Sequence, residues 1–267
     1  MTRRTAAPGL ATRTLTVAAD GLAGRYSALP VTSGPAVLYL GGSEGGVPFK
    51  EKAELLASRG LPTLALAYFG EPGLPQELAN VPLEYFESAL RWLGRQPGVD
   101  PARIAIVGIS RGGEAALLVG STFPELVAGV VSYVGSSVVN PSTNRRDPAW
   151  THNGRPVQAP DSPDLGNPRP LNGLGVIKVE LIHGPVLLVS GISDLLWPSG
   201  GYAAAIVDRR RAAGLETTSL TSLSAGHAVG VAVPNMAVRA LGGTRKADAS
   251  LRGRARPRVL ALLRRVS

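Results

Sequence analysis

Arg103-Ile104-Ala105-Ile106-Val107-Gly108-Ile109-Ser110-Arg111-Gly112-Gly113-Glu114-Ala115-Ala116-Leu117-Leu118 joins a short apolar β-forming run to a helix-forming run through Gly-x-Ser-x-Gly. A serine set between a buried strand and a helix sits on a tight, strained turn, and its immediate neighbours must be small because side chains there meet backbone. Gly108 and Gly112 supply that. The turn carries the hydroxyl to the C-terminal edge of a sheet, beside the positive end of a helix, where developing negative charge is favoured.

The same alternation extends in both directions. Thr14 to Val17 and Gly24 to Leu29 read as an opening hairpin. Ala36 to Leu40 reads as a buried strand running into a glycine-rich loop, Gly41-Gly42-Ser43-Glu44-Gly45-Gly46, and Lys50 to Arg59 as a helix closed by Gly60. Strands are expected at Pro62 to Phe69, Val127 to Val134, Pro185 to Ser190 and Thr217 to Leu223, with helices at Leu83 to Gln96 and Tyr202 to Ala213. Phe86, Leu90, Trp92 and Leu93 form the apolar stripe of the first of these helices. Continuous apolar strands alternating with amphipathic helices specify a mostly parallel, doubly wound sheet with helices on both faces, the α/β-hydrolase class when the serine turn is included. Pro257 suits the first turn of a last helix.

Ser136 to Lys178 is polar, rich in Pro, Asn and Gly, and too long for an ordinary connection. It is expected to be an inserted loop or lid that shapes the substrate pocket. At 267 residues, with no internal repeat or linker, the chain reads as one domain over 1–267.

A serine hydroxyl needs a base to take its proton and a third group to orient that base. Of the three histidines, His152 falls in the insertion and His183 directly precedes a strand, which places it at the opposite sheet edge. His227 follows the last strand, and Asp194 lies four residues past the strand Pro-Val-Leu-Leu-Val-Ser. Ser110, Asp194 and His227 therefore stand in the chain order of an α/β-hydrolase triad. The Arg111 N–H, with a second N–H from Ser43 or Glu44, is expected to form the oxyanion hole. Glu44 and Glu114 read more simply as helix-start or loop carboxylates than as chemical groups.

No phosphate-binding loop, dinucleotide fingerprint or metal-ligand spacing occurs, so neither cofactor nor metal is expected. The chain has no Cys, which excludes disulfides, thiolate metal sites and a thiol nucleophile, and fits a reducing compartment. Its basic opening lacks the apolar core of a secretory signal, and no stretch approaches a membrane span, so it reads as cytoplasmic. The net charge of +9 is concentrated in residues 245–267, where eight Lys and Arg face Asp248 alone. With no aromatic interleaving or nucleic-acid motif, this reads as a solvated basic helix, and no nucleic-acid partner is expected.

Longer stretches give a sharper reading. LYLGGSEGG, LALAYFGEPGLP, LEYFESALRWL, VGISRGGEAALL, DPAWTHNGRPV, GPVLLVSGISDLLWPS, SAGHAVGVAVP and LGGTRKADA together resemble the catalytic C-terminal domain of the acyl-CoA thioesterase and bile acid-CoA:amino acid N-acyltransferase family. The resemblance puts the nucleophile on Ser110, the acid on Asp194 and the base on His227. It implies a small-molecule acyl thioester substrate and hydrolysis, since acyl transfer to amino acids goes with a Cys nucleophile. Longer members carry an N-terminal β-sandwich, for which the roughly thirty residues before the first core strand are too few. Carboxylester or lactone hydrolysis, acyl transfer, and a non-catalytic binding module on the same scaffold remain alternatives.

Overall fold

The computed structural model describes residues 9–30, 33–161, 166–230 and 238–266. The basic opening Met1 to Pro8, part of the insertion and the end of the SAGHAVGVAVP stretch lie outside the described residues. Eight strands form the main sheet: β1 (Ala11–Leu15), β2 (Ala23–Ala28), β3 (Gly34–Leu40), β4 (Thr63–Ala67), β6 (Val99–Ile109), β7 (Gly129–Tyr133), β10 (Val186–Gly191) and β11 (Thr217–Ser222). Their spatial order is β1-β2-β4-β3-β6-β7-β10-β11. The β1–β2 and β2–β4 pairs are antiparallel, and every pair from β4 to β11 is parallel. The opening hairpin contains a helical turn, α1 (Val17–Asp20), capped by Thr16.

Alternation along the central strands divides the core. Leu38 and Leu40 of β3 face α3 (Leu83–Gly94), α4 (Arg111–Thr122) and α5 (Ser199–Ala212), whereas Val37 and Tyr39 face α2 (Lys50–Ala57) and α7 (Arg245–Arg265). Both faces of the parallel strands are thus buried, which is why they read as unbroken apolar runs. A short α6 (Val238–Leu241) precedes α7.

Two expectations are corrected. Pro257 does not begin the last helix: α7 starts twelve residues earlier at Arg245, where the Thr244 hydroxyl accepts from the Ala247 N–H at 3.2 Å, and it runs through Pro257. The stripe Leu251, Ala255, Val259 and Leu263 recurs every four residues across the proline and is buried against the sheet. Tertiary packing here outweighs the local break. The insertion is also less loop-like than its composition suggests. Val138, Val139, Ala149, Trp150 and Ile177 are buried. β8 (Trp150–His152) pairs in parallel with β5 (Val81–Pro82) and antiparallel with β9 (Arg155–Pro156), forming a second, three-stranded sheet.

Candidate active site

Ser110 occupies the turn between β6 and α4 with φ 56° and ψ −120°, a strained conformation for a residue with a side chain, of order 1–3 kcal/mol. Surrounding contacts enforce it. The Ser110 N–H donates to the Tyr133 carbonyl at 2.9 Å. A Cβ on Gly108 would lie 1.9 Å from the Gly112 carbonyl oxygen, and one on Gly112 would lie 2.1 Å from that of Gly41. No side chain fits at either position, which gives the Gly-x-Ser-x-Gly spacing its physical cause.

The three predicted side chains meet. His227, in a 3₁₀ turn over His227–Val229, places Nε2 2.9 Å from Ser110 Oγ and Nδ1 2.8 Å from Asp194 Oδ2. Asp194 lies just past β10, and its second oxygen accepts from the N–H groups of Leu196 and Trp197 at 2.9 and 3.3 Å. This leaves Oδ2 directed at the imidazole. The Trp197 ring stands edge-on to His227, with centroids 5.7 Å apart, and its indole N–H donates to the Val134 carbonyl at 2.8 Å. His227 and Asp194 are buried. In such a chain a serine proton can pass to Nε2 while the carboxylate holds Nδ1–H and steadies the imidazolium.

Arg111 is the first residue of α4, where backbone N–H groups have no intrahelical acceptor. The glycine loop lies against Ser110: a Cβ on Gly42 would be 3.3 Å from Ser110 Cβ and 2.9 Å from Glu44 Oε2. Glu44 therefore folds back over Gly42 beside the serine, and both Ser43 and Glu44 are exposed at the mouth. His152 and His183 are not in this constellation; His152 instead meets Glu84 at 3.0 Å.

Tyr68 and Asp248 support the site without a sequence signal of their own, and Glu114 does so in a role its helix-start reading did not give. Tyr68 directs its hydroxyl at the carbonyls of Gly41 and Gly42, each at 2.8 Å, and so pins the glycine loop. Asp248 on α7 accepts from the Gly226 N–H at 2.8 Å, fixing the residue before His227. Glu114 is wholly buried beneath the turn and accepts from Arg111 Nη1, Trp150 Nε1, and the backbone and side-chain N–H groups of Asn140 at 2.8–3.1 Å. Burial pushes its pKa up, against the pull of the Arg111 charge and these donors. Among the described residues no His, Cys, Asp and Glu cluster of metal-binding form occurs, and no helix is long and apolar enough to cross a membrane.

The sheet order, the serine turn and the strand-end positions of Ser110, Asp194 and His227 define an α/β-hydrolase fold. Solved structures agree: a putative dienelactone hydrolase from Klebsiella pneumoniae superposes with a TM-score of 0.66 at 17% identity over 96% of this chain and 99% of that one. An α/β hydrolase from a Medee basin deep-sea metagenome, MGS-M1, superposes with a TM-score of 0.66 at 16% identity over 96% and 98%. Within that class the chain belongs to the BAAT / acyl-CoA thioester hydrolase C-terminal family, whose pattern it matches over residues 81–156 and 167–238. It is 32% identical over 203 residues to the mouse peroxisomal succinyl-coenzyme A thioesterase, covering 70% of this chain and 47% of that protein. It is 31% identical over 201 residues to the human mitochondrial acyl-coenzyme A thioesterase 2, covering 67% and 39%. The chain thus spans less than half the length of these relatives, which are assigned to two different organelles.

Proposed function

We propose that the protein hydrolyses acyl-CoA thioesters to free acid and CoA, with Ser110 as nucleophile, His227 as general base and acid, and Asp194 orienting the imidazole. The observation that carries this reading is the hydrogen-bond chain from Ser110 Oγ through His227 to Asp194, 2.9 and 2.8 Å per link, on a strained turn. Membership of the thioester hydrolase family supports the thioester as the substrate.

Ser110 Oγ attacks the thioester carbonyl carbon as His227 Nε2 takes its proton. The oxyanion forms beside the start of α4, where we assign the Arg111 N–H as one donor and an N–H of Ser43 or Glu44 as the other. Collapse breaks the carbon–sulfur bond, and His227 returns the proton to the departing thiolate of CoA. Water, deprotonated by the same nitrogen, then cleaves the acyl-serine ester and restores Ser110. Water completes this cycle in place of an amine, in keeping with a serine ester intermediate and the absence of any Cys.

Thiol release from a series of short to long acyl-CoA esters tests the reading directly. The Cys-free chain adds no thiol background. Ser110→Ala is expected to lower kcat by about 10⁴-fold or more with circular dichroism unchanged. Equal release by the variant, or release by neither protein from any acyl-CoA, would sink the proposal; in the second case cleavage of oxygen esters alone would make the protein a carboxylesterase.

A further inference from the structure

Strand β3 delivers its glycine loop to the mouth of the site, and Glu44 is the charged residue of that loop. A Cβ on Gly42 would stand 2.9 Å from Glu44 Oε2 and 3.3 Å from Ser110 Cβ, which bounds the carboxylate to within about 6 Å of the serine. Gly42 has no side chain to part them. Glu44 is exposed, and among the described residues its carboxylate takes part in no hydrogen bond or ion pair.

The groups around it feel its charge. Burial foremost raises the pKa of the Tyr39 and Tyr68 hydroxyls, and Glu44 adds to the rise in each. Lys52 is a cation that attracts it: burial and Arg252 lower the Lys52 pKa to about 8 and Glu44 opposes them, while the ammonium donates to the Gly230 carbonyl at 2.7 Å. This attraction reduces the negative field of Glu44 without cancelling it, because no ion pair joins the two. Arg111, next to the serine, is committed to Glu114 at 3.0 Å and to the Asn140 carbonyl at 3.1 Å. Asp194 is matched to His227. Glu71 adds negative charge farther along the loop, its Oε1 lying 3.1 Å from a Cβ on Gly46.

We infer that Glu44 sets the charge of the acyl group this site accepts: uncharged acyl chains enter, and acyl groups ending in a second carboxylate within about five carbons of the thioester are disfavoured. The inference rests on the acyl hydrolysis proposed above. An acyl carbon bonded to Ser110 Oγ carries its third to fifth carbons into the range of a carboxylate held about 6 Å from the serine. The other branch of an acyl-CoA offers that carboxylate no charge, since the arm next to the sulfur is uncharged over many bonds and the phosphates come only at its far end. Repulsion between two unit charges about 6 Å apart at a protein surface is worth about tenfold after screening by water and salt.

Glutaryl-CoA and its ω-amide, 4-carbamoylbutanoyl-CoA, match in size and polarity and differ by one charge. The ratio of their kcat/KM values, amide over carboxylate and after subtraction of the uncatalysed rates, isolates the acyl charge from any effect of Glu44 on the oxyanion, which both substrates share. Wild type is expected to give a ratio of about ten or more in low salt, falling in about 0.5 M NaCl. Glu44→Gln should bring the ratio near one and Glu44→Lys below one, whereas Glu44→Asp keeps it above one. The position is exposed, so none of these replacements disturbs the core. A wild-type ratio near one, or a ratio unchanged in Glu44→Gln, would overturn the inference. Cleavage of the matching p-nitrophenyl esters without thiol release from either CoA ester would remove the thioesterase reading alone, and the same ratios taken on those esters then decide the inference; cleavage of neither series would end both.

Discussion

At the scale of single residues, Glu114 shows how the turn that holds Ser110 is supported from below. Each carboxylate oxygen receives two donors, so the side chain serves purely as an acceptor, and Arg111 supplies the compensating charge. Arg111 also donates through Nη2 to the Asn140 carbonyl at 3.1 Å and lies over the Trp150 ring. Glu114→Gln keeps the shape but points an NH₂ at a donor and leaves a buried guanidinium without its partner. A loss of about 3 kcal/mol is expected, read as a lowered urea midpoint with an unchanged slope; an unaltered midpoint would mean that the carboxylate does not hold this network together. Glu114 looked from sequence like an ordinary first-turn carboxylate because its partners come 26 and 36 residues later, with no periodic link to it. Ser110, Asp194 and His227 were legible as neighbours for the opposite reason: each lies just beyond the end of a strand, and parallel strands bring the residues beyond their C-terminal ends to one edge of the sheet.

At the scale of elements, the turn between β6 and α4 was readable because local rules and tertiary demands agree there. They disagree in α7. Proline in a helix interior removes an N–H and crowds the carbonyl four residues earlier, here that of Gly253. A glycine at that position adds its own helix penalty. The helix persists because Leu251, Ala255, Val259 and Leu263 bury a continuous stripe against the sheet while Pro257 stays exposed. A break inferred from one residue was therefore offset by packing spread over four. Pro257→Ala should stabilise the protein by up to about 3 kcal/mol, visible as a higher melting temperature. A fall in melting temperature would show that the proline sets a bend the core requires.

At the scale of the whole molecule, the sheet order and the role of the insertion depend on contacts between distant segments. The crossover that puts β4 outside β3, and the second sheet joining β5 to β8, leave no trace in local pattern. The polar composition of residues 136–178 reflects its exposed part, such as Arg145, Arg146, Asp147 and Asn172, and conceals an anchored part. Trp150 is fully buried against Tyr68 and Phe86 and donates to Glu114, and a bridge between Val138 and Val176 ties the ends of the segment together. The two parts should respond differently to surgery. Replacing residues 169–174 with a Gly-Ser segment of equal length removes mostly exposed side chains and should move stability by no more than about 0.5 kcal/mol. Excising residues 140–174 would strip Asn140 and Trp150 from Glu114 and uncover a buried ion pair, at a cost of about 3–5 kcal/mol from the tryptophan alone. Urea titration of the two variants separates the cases: a stable excision variant would make the insertion a detachable lid, whereas collapse of that variant beside a native-like exchange makes it part of the floor on which the serine turn rests.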